Sequence, residues 1–344
     1  MKRVLIVSVI LLSMLSACNK DWKFPDYKYS TVYFPYQAPV RTLVLGEDIY
    51  DNTLDNLHKF TIMATMGGVY ENKKDITLDV SIDNSLADKL KFNDAGGNDV
   101  VAMPASYFSL AKGTKIVIPS GQLMGGLDIQ LTDAFFADPR SIKNTFVIPL
   151  KINSVTNADS VLSGKSSVSS PDRRRSADWS TVPKDYVLYA VKYVNPYNGI
   201  YLRRGVEQVN GNSGNTALDT TNIYHKTYVE QDQLAGVFTK SLTHDSLSLN
   251  AKNKGNIDVP FQLFLTFDNS GKITVSAPSS ATGYTVSGDG EFVKKGDMWG
   301  QEKRDVMHLK YKVDFGTSTH SFTDTLVLRD RNVKFETFTP FITN

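Results

Sequence analysis

The side chains able to do chemistry fall into two sets: acids with histidines, and aromatic rings with planar polar groups. Breaking a glycosidic bond takes two carboxylates facing one another across the sugar, one acting as acid and the other as nucleophile or base. The densest acidic region is Asp289, Glu291, Asp297, Glu302 and Asp305. It is set around a glycine-rich turn and interleaved with Lys294, Lys295, Lys303 and Arg304. Opposite charges at that density read as a solvated loop with surface ion pairs. The histidines His58, His225, His244, His308 and His320 stand at no metal-ligand spacing to one another, and no HExxH run occurs. Asp219, Asp232, Asp245 and Asp258 lack the spaced loop that calcium requires. No Gly-x-Ser-x-Gly elbow and no phosphate-cradling glycine loop is present. The expectation is a non-catalytic chain with no cofactor and no metal, a glycoside hydrolase being the one enzyme class kept open.

Sugar recognition asks for other residues. Pyranose C–H faces pack on aromatic rings, while hydroxyls pair with Arg, Asn, Gln and Asp. The chain has 16 Tyr, 18 Phe and 3 Trp, so the choice has to rest on local context. Trp299 stands in Gly296-Asp297-Met298-Trp299-Gly300-Gln301, a glycine-flanked loop where an indole serves either as a ligand platform or to close a barrel end. Gln301 would supply a hydrogen-bonding amide beside it. Tyr201 and Arg203 point one way from an expected strand, Leu202 and Arg204 the other. An arginine that enters the interior is either a ligand clamp or the partner of a carboxylate, for which Asp330 is a candidate. Trp179 lies in a polar stretch, as an exposed stacking residue or as a plug between domains. Tyr201, Arg203, Trp299, Gln301 and Trp179 are thus the candidate ligand-binding residues.

The first residues bear on location. Lys2 and Arg3 precede an apolar run from Val4 to Leu12, too short to span a bilayer, and then Leu15-Ser16-Ala17-Cys18. That tetrapeptide resembles the bacterial lipobox, which implies cleavage before Cys18, a thioether-linked diacylglycerol on its sulfur and a membrane held through acyl chains. Each buried methylene contributes ~0.8 kcal/mol to such an anchor. Cys18 is the one cysteine in the chain, so disulfides, thiolate metal sites and cysteine nucleophiles are excluded from the body. Asn19-Lys20-Asp21 is similar in part to the export signal of Bacteroidota lipoproteins, which implies the outer membrane and its exposed face; the periplasmic face is the alternative. Trp22, four residues on, suits a membrane interface or tether. With 38 Lys and Arg against 36 Asp and Glu, there is no electrostatic footprint of a nucleic-acid binder.

The elements that must position these residues are strands. Ile76, Leu78, Val80 and Ile82 alternate with polar residues, and so do Leu127, Ile129 and Leu131, and Met307, Leu309, Tyr311, Val313 and Phe315. Period two over such lengths marks half-buried antiparallel strands. Helix is confined to single turns near Asn84 to Lys91 and Asp133 to Ala137. The fold class is all-β: an N-terminal Ig-like β-sandwich and a C-terminal antiparallel β-barrel. The expected divisions are a signal segment at 1–17, a tether at 18–29, the sandwich at 30–153, a polar linker at 154–185 and the barrel at 186–344. Seven sandwich strands are expected: Thr31 to Tyr36, Arg41 to Leu45, Lys59 to Thr65, Ile76 to Ile82, Lys115 to Pro119, Leu127 to Thr132 and Phe146 to Ile152. The linker, with Arg173-Arg174-Arg175 and hardly an apolar side chain, should be a solvated loop.

Two stretches carry a family resemblance. Met103 to Phe108, Lys115 to Gly121, Asp138-Pro139-Arg140 and Phe146 to Ile152 resemble the N-terminal domain of many Bacteroidota surface lipoproteins, some of which carry a glycosidase module behind it. Asn198 to Gly205, Trp299 to Asp305 and Asp324 to Arg331 resemble the C-terminal domain that commonly follows, with a lipocalin-like, calycin-type barrel. The resemblance implies glycan handling beside outer-membrane glycan-uptake proteins, with a polysaccharide or oligosaccharide as ligand. It assigns no catalytic residue. Calycin-type barrels often use an arginine structurally to close one end, which bears on Arg203 and Arg204. The functional expectation is a lipid-anchored, cell-surface glycan-binding or glycan-utilisation accessory protein. A lipocalin-like carrier of a lipid is the alternative outside the glycan class.

Overall fold

The structure is a computed structural model and describes residues 27–111 and 113–343. The signal segment, Cys18 and Trp22 lie outside the described residues. Strand makes up 52% of the molecule and helix 10%, so the fold is all-β, a sheet sandwich leading into a closed barrel.

All seven expected sandwich strands form. In Lys59–Gly67 the residues Phe60, Ile62, Ala64 and Met66 point inward, and in Ile76–Ile82 so do Ile76, Leu78 and Val80. One layer contains Thr31–Tyr33, Lys59–Gly67 and Met124–Leu131. The other contains Lys115–Ile118, Ile76–Ile82, Phe146–Thr156 and Pro39–Val44. The layers join at Val117↔Gly126, and their apolar faces meet in one core that includes Phe34, Ile62, Leu78, Ile116, Leu127 and Ile148. The expected helical turns are a 3₁₀ turn at Asn84–Ala87 and a short helix at Asp133–Ala137.

Two expectations need correction. The polar segment 154–185 is ordered, because its charges find partners within the segment and on the sandwich. Arg174 pairs with Asp172 at 2.7 Å and donates to the carbonyls of Leu86 and Asp88, and Arg173 pairs with Asp185 at 3.1 Å. Charge-assisted hydrogen bonds here offset an ordering entropy that apolar burial could not. The strand Tyr186–Val194, expected to open the barrel, belongs to the sandwich. It runs antiparallel to Phe146–Lys151 and parallel to Pro39–Val44. Val187, Leu188, Ala190 and Val191 are all buried, a near-continuous apolar run that fits a strand covered on both faces. The chain also returns at its end, where Glu336–Thr337 pairs with Pro39–Val40 and Pro340–Ile342 with Leu90–Phe92. The barrel is therefore an excursion from the sandwich.

Its eight strands are Gly199–Gly211, Gln233–Thr239, His244–Lys252, Asp258–Phe267, Lys272–Ser276, Thr285–Trp299, Glu302–Asp314 and Ser318–Asp330, each antiparallel to the next. The last closes on the first from Ile200↔Asp330 to Gly211↔Ser318. Thr220–Tyr224 continues the line of Gln233–Thr239 along the first strand. Closure removes the sheet edges that an open meander would expose.

Two buried charges lie where the bodies meet. Arg331 donates to four carbonyl oxygens: Leu45 at 3.0 Å and Glu47 at 2.8 Å on the sandwich, Asn195 at 2.6 Å and Asn198 at 2.8 Å on the crossover. Burial holds this guanidinium below its ordinary range. Nearby, Asp245 is fully buried and accepts from Asn195 Nδ2 at 2.9 Å, while its Oδ2 has no hydrogen-bond partner. Burial pushes its carboxyl up to about 7, against the pull of Asn195 and Arg331.

Two outcomes follow from this junction. A buried acceptor left without its donor costs ~1–3 kcal/mol. Arg331→Met should therefore lower urea-unfolding stability by about 3 kcal/mol or more and speed proteolysis around Asn195–Asn198; an unchanged midpoint would show the arginine to be dispensable. Asp245 has a folded-state pKa near 7, above its ordinary 3.8, so the folded protein keeps a proton that the unfolded chain releases. Its contribution is full at low pH and declines as pH rises from about 4 to about 7, by at most ~1.4 kcal/mol per pH unit. Asp245→Asn should flatten that decline and gain on the natural protein at pH 8; parallel stability profiles would refute the assignment.

Candidate functional site

The barrel interior has an apolar end and a polar end. At the apolar end Val237, Leu247, Leu263, Leu265, Leu309 and Leu326 meet in one cluster at no more than 1% exposure, so facing side chains occupy the space that a lipocalin-type ligand would need. At the polar end the inward positions of the first strand carry Arg203, Gly205 and Glu207. Arg203 is fully buried. Its Nη2 lies 2.9 Å from Asp324, its Nη1 donates to Gln233 Oε1 at 3.1 Å, and its guanidinium stacks 4.2 Å from the Tyr224 ring. Burial works against that charge, and Asp324, with Tyr311 and Tyr224, more than compensates, holding the guanidinium above its ordinary range. Tyr311 donates to the same carboxylate at 2.6 Å. Gly205 makes room for this pair, since a Cβ there would fall 1.9 Å from Asp324 Oδ1.

Glu207 completes the network. Its carboxylate meets His320 Nδ1 at 2.6 Å and accepts from Tyr224 Oη, Asn222 Nδ2 and the Lys252 amide. Burial would raise its pKa, but these hydrogen bonds outweigh it and hold the group below the usual carboxylate range. Burial, reinforced by the same contact, holds the Tyr224 phenol well above its ordinary value. Arg203, Glu207, His320 and Asp324 are buried in this network, and Tyr224 and Gln233 join it from the barrel wall.

The outer face of the barrel is different. Lys272, Glu291, His308, Thr325 and Arg204 stand in register on five adjacent strands. Thr274, Asp289, Lys310, Thr323 and Val206 form a second row, and Ser276, Ser287, Lys312, Ser321 and Gln208 a third. Neighbouring strands are ~4.8 Å apart, so each row presents a side chain at about that interval. The first four members of each of the first two rows line a groove of about 760 Å³, with Arg204 and Val206 outside it. Asp289, Lys310 and Thr323 also line the adjoining hollow over the third row. Lys272 stands opposite Glu291 and Asp289 opposite Lys310, so the charges of the groove largely cancel.

Trp299 lies at the end of this face. It is half-buried, with the Arg204 guanidinium 5.2 Å from its ring, and Arg204 is in turn held by Asp232. Trp299 ends a strand and is not in a loop; Gly300 and Gln301, at φ 60° and 68°, form the two-residue turn to Glu302. Gln301 is exposed on that turn. Tyr201 cannot be a platform, because it is fully buried and donates to the Tyr197 carbonyl at 2.7 Å. Arg203 is inside as its alternation with Arg204 implies, but its partner is Asp324, not Asp330; Asp330 sits at the barrel end beside Arg329. Trp179 is neither exposed platform nor interdomain plug. Its Nε1 donates to the Asp172 carbonyl at 2.7 Å, and Arg173 lies 5.9 Å from its ring, so it fastens the polar segment to itself. The structure brings Trp299 and Gln301 to one turn and separates them from the other three. The acids at Asp297 and Glu302 do form surface pairs, with His308 at 3.5 Å and Arg304 at 3.1 Å. Missing from the sequence reading were the rows around Lys310 and Thr323 and the acids Glu207 and Asp324. Alternation alone marks the rows as outward polar positions and says nothing of their alignment.

Comparison with known proteins agrees with this division. The family model for a domain of unknown function (DUF5627) matches residues 196–332, the barrel. A "-like, N-terminal domain" model matches residues 27–159 of the sandwich. A crystal structure of a protein of unknown function from Bacteroides ovatus, at 2.40 Å resolution, shares 40% identity over 93% of this chain and 100% of its own, with a TM-score of 0.85. A second Bacteroides ovatus structure of unknown function, at 2.61 Å, is 15% identical over 90% of this chain and 99% of its own, with a TM-score of 0.39. No curated protein matches the chain.

Removing one partner of a buried ion pair typically costs about 3–5 kcal/mol, whereas replacing both with apolar groups is often near neutral. Arg203→Met should thus destabilise the barrel by roughly that amount in chemical denaturation, and Arg203→Met with Asp324→Leu by clearly less. Additive losses would show that the two residues do not act as a pair.

Proposed function

The chain belongs to the uncharacterised two-domain Bacteroides family of its 40%-identical relative, and from that premise we propose that it is a non-catalytic glycan-binding protein. The observation that carries the reading is the contrast between the two faces of the barrel: a packed interior and an outer face of ordered polar rows ending at an aromatic ring. A polysaccharide lying across the strands would meet a side chain about every 4.8 Å, an interval close to one pyranose of an extended chain. Hydroxyls of Thr323 and Thr325 and the paired charges of Asp289, Lys310 and Glu291 supply donors and acceptors for sugar hydroxyls. Trp299 supplies a face for C–H packing, and Arg204 holds its orientation.

The near-cancelled charge of the groove favours a neutral glycan there. In this reading Cys18 carries the acyl anchor, the protein sits at the outer membrane facing outward, and outer-membrane glycan-uptake proteins are its partners. The sandwich serves as the rigid spacer that presents the barrel.

Isothermal titration against a panel of dietary and host polysaccharides tests the proposal. At least one neutral glycan should bind, and Trp299→Ala should weaken it tenfold or more without changing thermal stability. Absence of heat from every glycan, or full affinity in the Trp299→Ala protein, would reject this site.

A further inference from the structure

We infer that a slot in the barrel wall is a second, separate site, built for the carboxylate of an acidic sugar. The ladder between Gln233–Thr239 and His244–Lys252 runs from Thr239↔Asp245 to Val237↔Leu247 and stops. Beyond it, Ser248–Lys252 has no ladder partner on that edge among the described residues. Side chains bridge the far end of the slot. Glu207 accepts from the Lys252 amide at 3.2 Å, and Asn222 Nδ2 donates to the Lys252 carbonyl at 3.0 Å. Since peptide groups alternate along a strand, the amide and carbonyl of Asn250 turn toward the slot as well.

The slot opens outward as a cavity of about 280 Å³ lined by Tyr224, Lys226, Gln233, Asn250, Lys252 and Asp258. A neighbouring hollow of about 460 Å³ shares Gln233 and Asn250 and adds Gln262 and Tyr284. The smaller volume lies just under the usual range for small-molecule pockets and suits a single sugar ring. Its polar lining includes two ammonium groups. Lys252 is paired with Asp258 at 3.1 Å, whereas Lys226 has no ion pair among the described residues, and its backbone is fixed by Asp232 at 2.7 Å. One layer behind lies Arg203, fully buried, with an Nε that has no hydrogen-bond partner. The two groups that screen it, Gln233 and Tyr224, are both lining residues of the cavity.

A ligand carboxylate taking the place of the Gln233 carbonyl would exchange a neutral acceptor for a charged one, a shorter and stronger hydrogen bond. Lys226 would add a second cation, Asn250 and Gln262 would meet the ring hydroxyls, and Tyr224 and Tyr284 would flank the ring. Asp324 is taken up by Arg203 and Tyr311 and Glu207 by its own donors, and the one acid in the cavity lining, Asp258, is already held by Lys252.

This inference rests on the glycan reading and names an acidic residue as a distinct class of ligand, away from Trp299. The test titrates the full chain with galacturonic acid, galactose and acetate, followed by NMR chemical-shift change. Galacturonic acid should bind at least tenfold more tightly than either of the others. Lys226→Met should weaken it at least fivefold with unchanged thermal melting, Gln233→Leu, which removes the competing carbonyl from Arg203, should bind at least as tightly as the natural protein, and Trp299→Ala should leave it unaffected. Equal binding of galactose would overturn the carboxylate preference, and equal binding of acetate would overturn the sugar. No binding of galacturonic acid in a protein that still binds a polysaccharide through Trp299 would reject the slot and leave the outer groove standing. Loss of galacturonic acid binding in Trp299→Ala would equally overturn the slot as a separate site.

Discussion

The two β bodies are held by a buried cation that makes no ion pair among the described residues. Arg331 ends the barrel and spreads its guanidinium over carbonyl oxygens of Leu45, Glu47, Asn195 and Asn198, which come from the sandwich and from the crossover between the bodies. A planar fork of five donors is suited to this work, and a lysine could not satisfy the same set. The contacts fix where the barrel stands, and Lys294 and Lys295 add weaker ones to Glu47 at 3.3 and 3.6 Å. Those last pairs are exposed and contribute little. Asn195 extends the lock inward, accepting from Asn198 through its side chain and donating to Ser241 and Asp245. Because these groups interlock, Arg331 and Asn195 together hold the barrel that carries Trp299 against the sandwich.

The polar end of the barrel shows how an eight-stranded wall is closed where its ladder fails. Among the described residues no strand pairs with the second half of His244–Lys252 on the side of Gln233–Thr239, and Glu207 reaches across from the first strand to take the Lys252 amide. A carboxylate placed there needs its own donors, which His320, Tyr224 and Asn222 provide. Arg203 and Asp324 then neutralise one another beside it. Ion pairs of this kind are weak sources of stability but strongly penalise partial removal. Their geometric effect is clearer: they fill the interior, and a ligand must be met either through the wall or on the outer face.

Much of the fold is legible in the sequence because period two is a strong signal. Ile76–Ile82 has the bounds that its alternation predicts, and the opposite facing of Arg203 and Arg204 follows from strand geometry alone. What fails is anything that depends on register. Arg203 lies opposite Leu326, so its inward neighbour on that strand is Asp324, two residues away on the same face. Asp330, which shares the resemblance motif with Asp324, lies opposite Ile200 at the barrel end. No local pattern distinguishes these two acids. The linker fails for a related reason: composition measures the apolar surface that a segment can bury, while Arg174 is fixed by carbonyls 88 and 86 residues away. Tyr186–Val194 is apolar on both faces, which fits a buried strand of either body and leaves its sheet undecided.

The glycines of the outer groove make the same point about function. Gly288 and Gly290, with acids between and after them, read as a turn, yet they are inward positions of one continuous strand, Thr285–Trp299. A Cβ at Gly288 would fall 2.4 Å from the Lys310 carbonyl and one at Gly290 would fall 2.3 Å from that of His308. The neighbouring strand therefore lies closer at these positions than any other residue type would allow. Glycine at alternate positions removes bulk from inside the wall while Asp289 and Glu291 keep their places outside it. The wall can then bend around the groove, and the same two acids that looked like loop charges become members of ordered rows. A side chain's value for recognition here is set by what its neighbours omit as much as by its own chemistry.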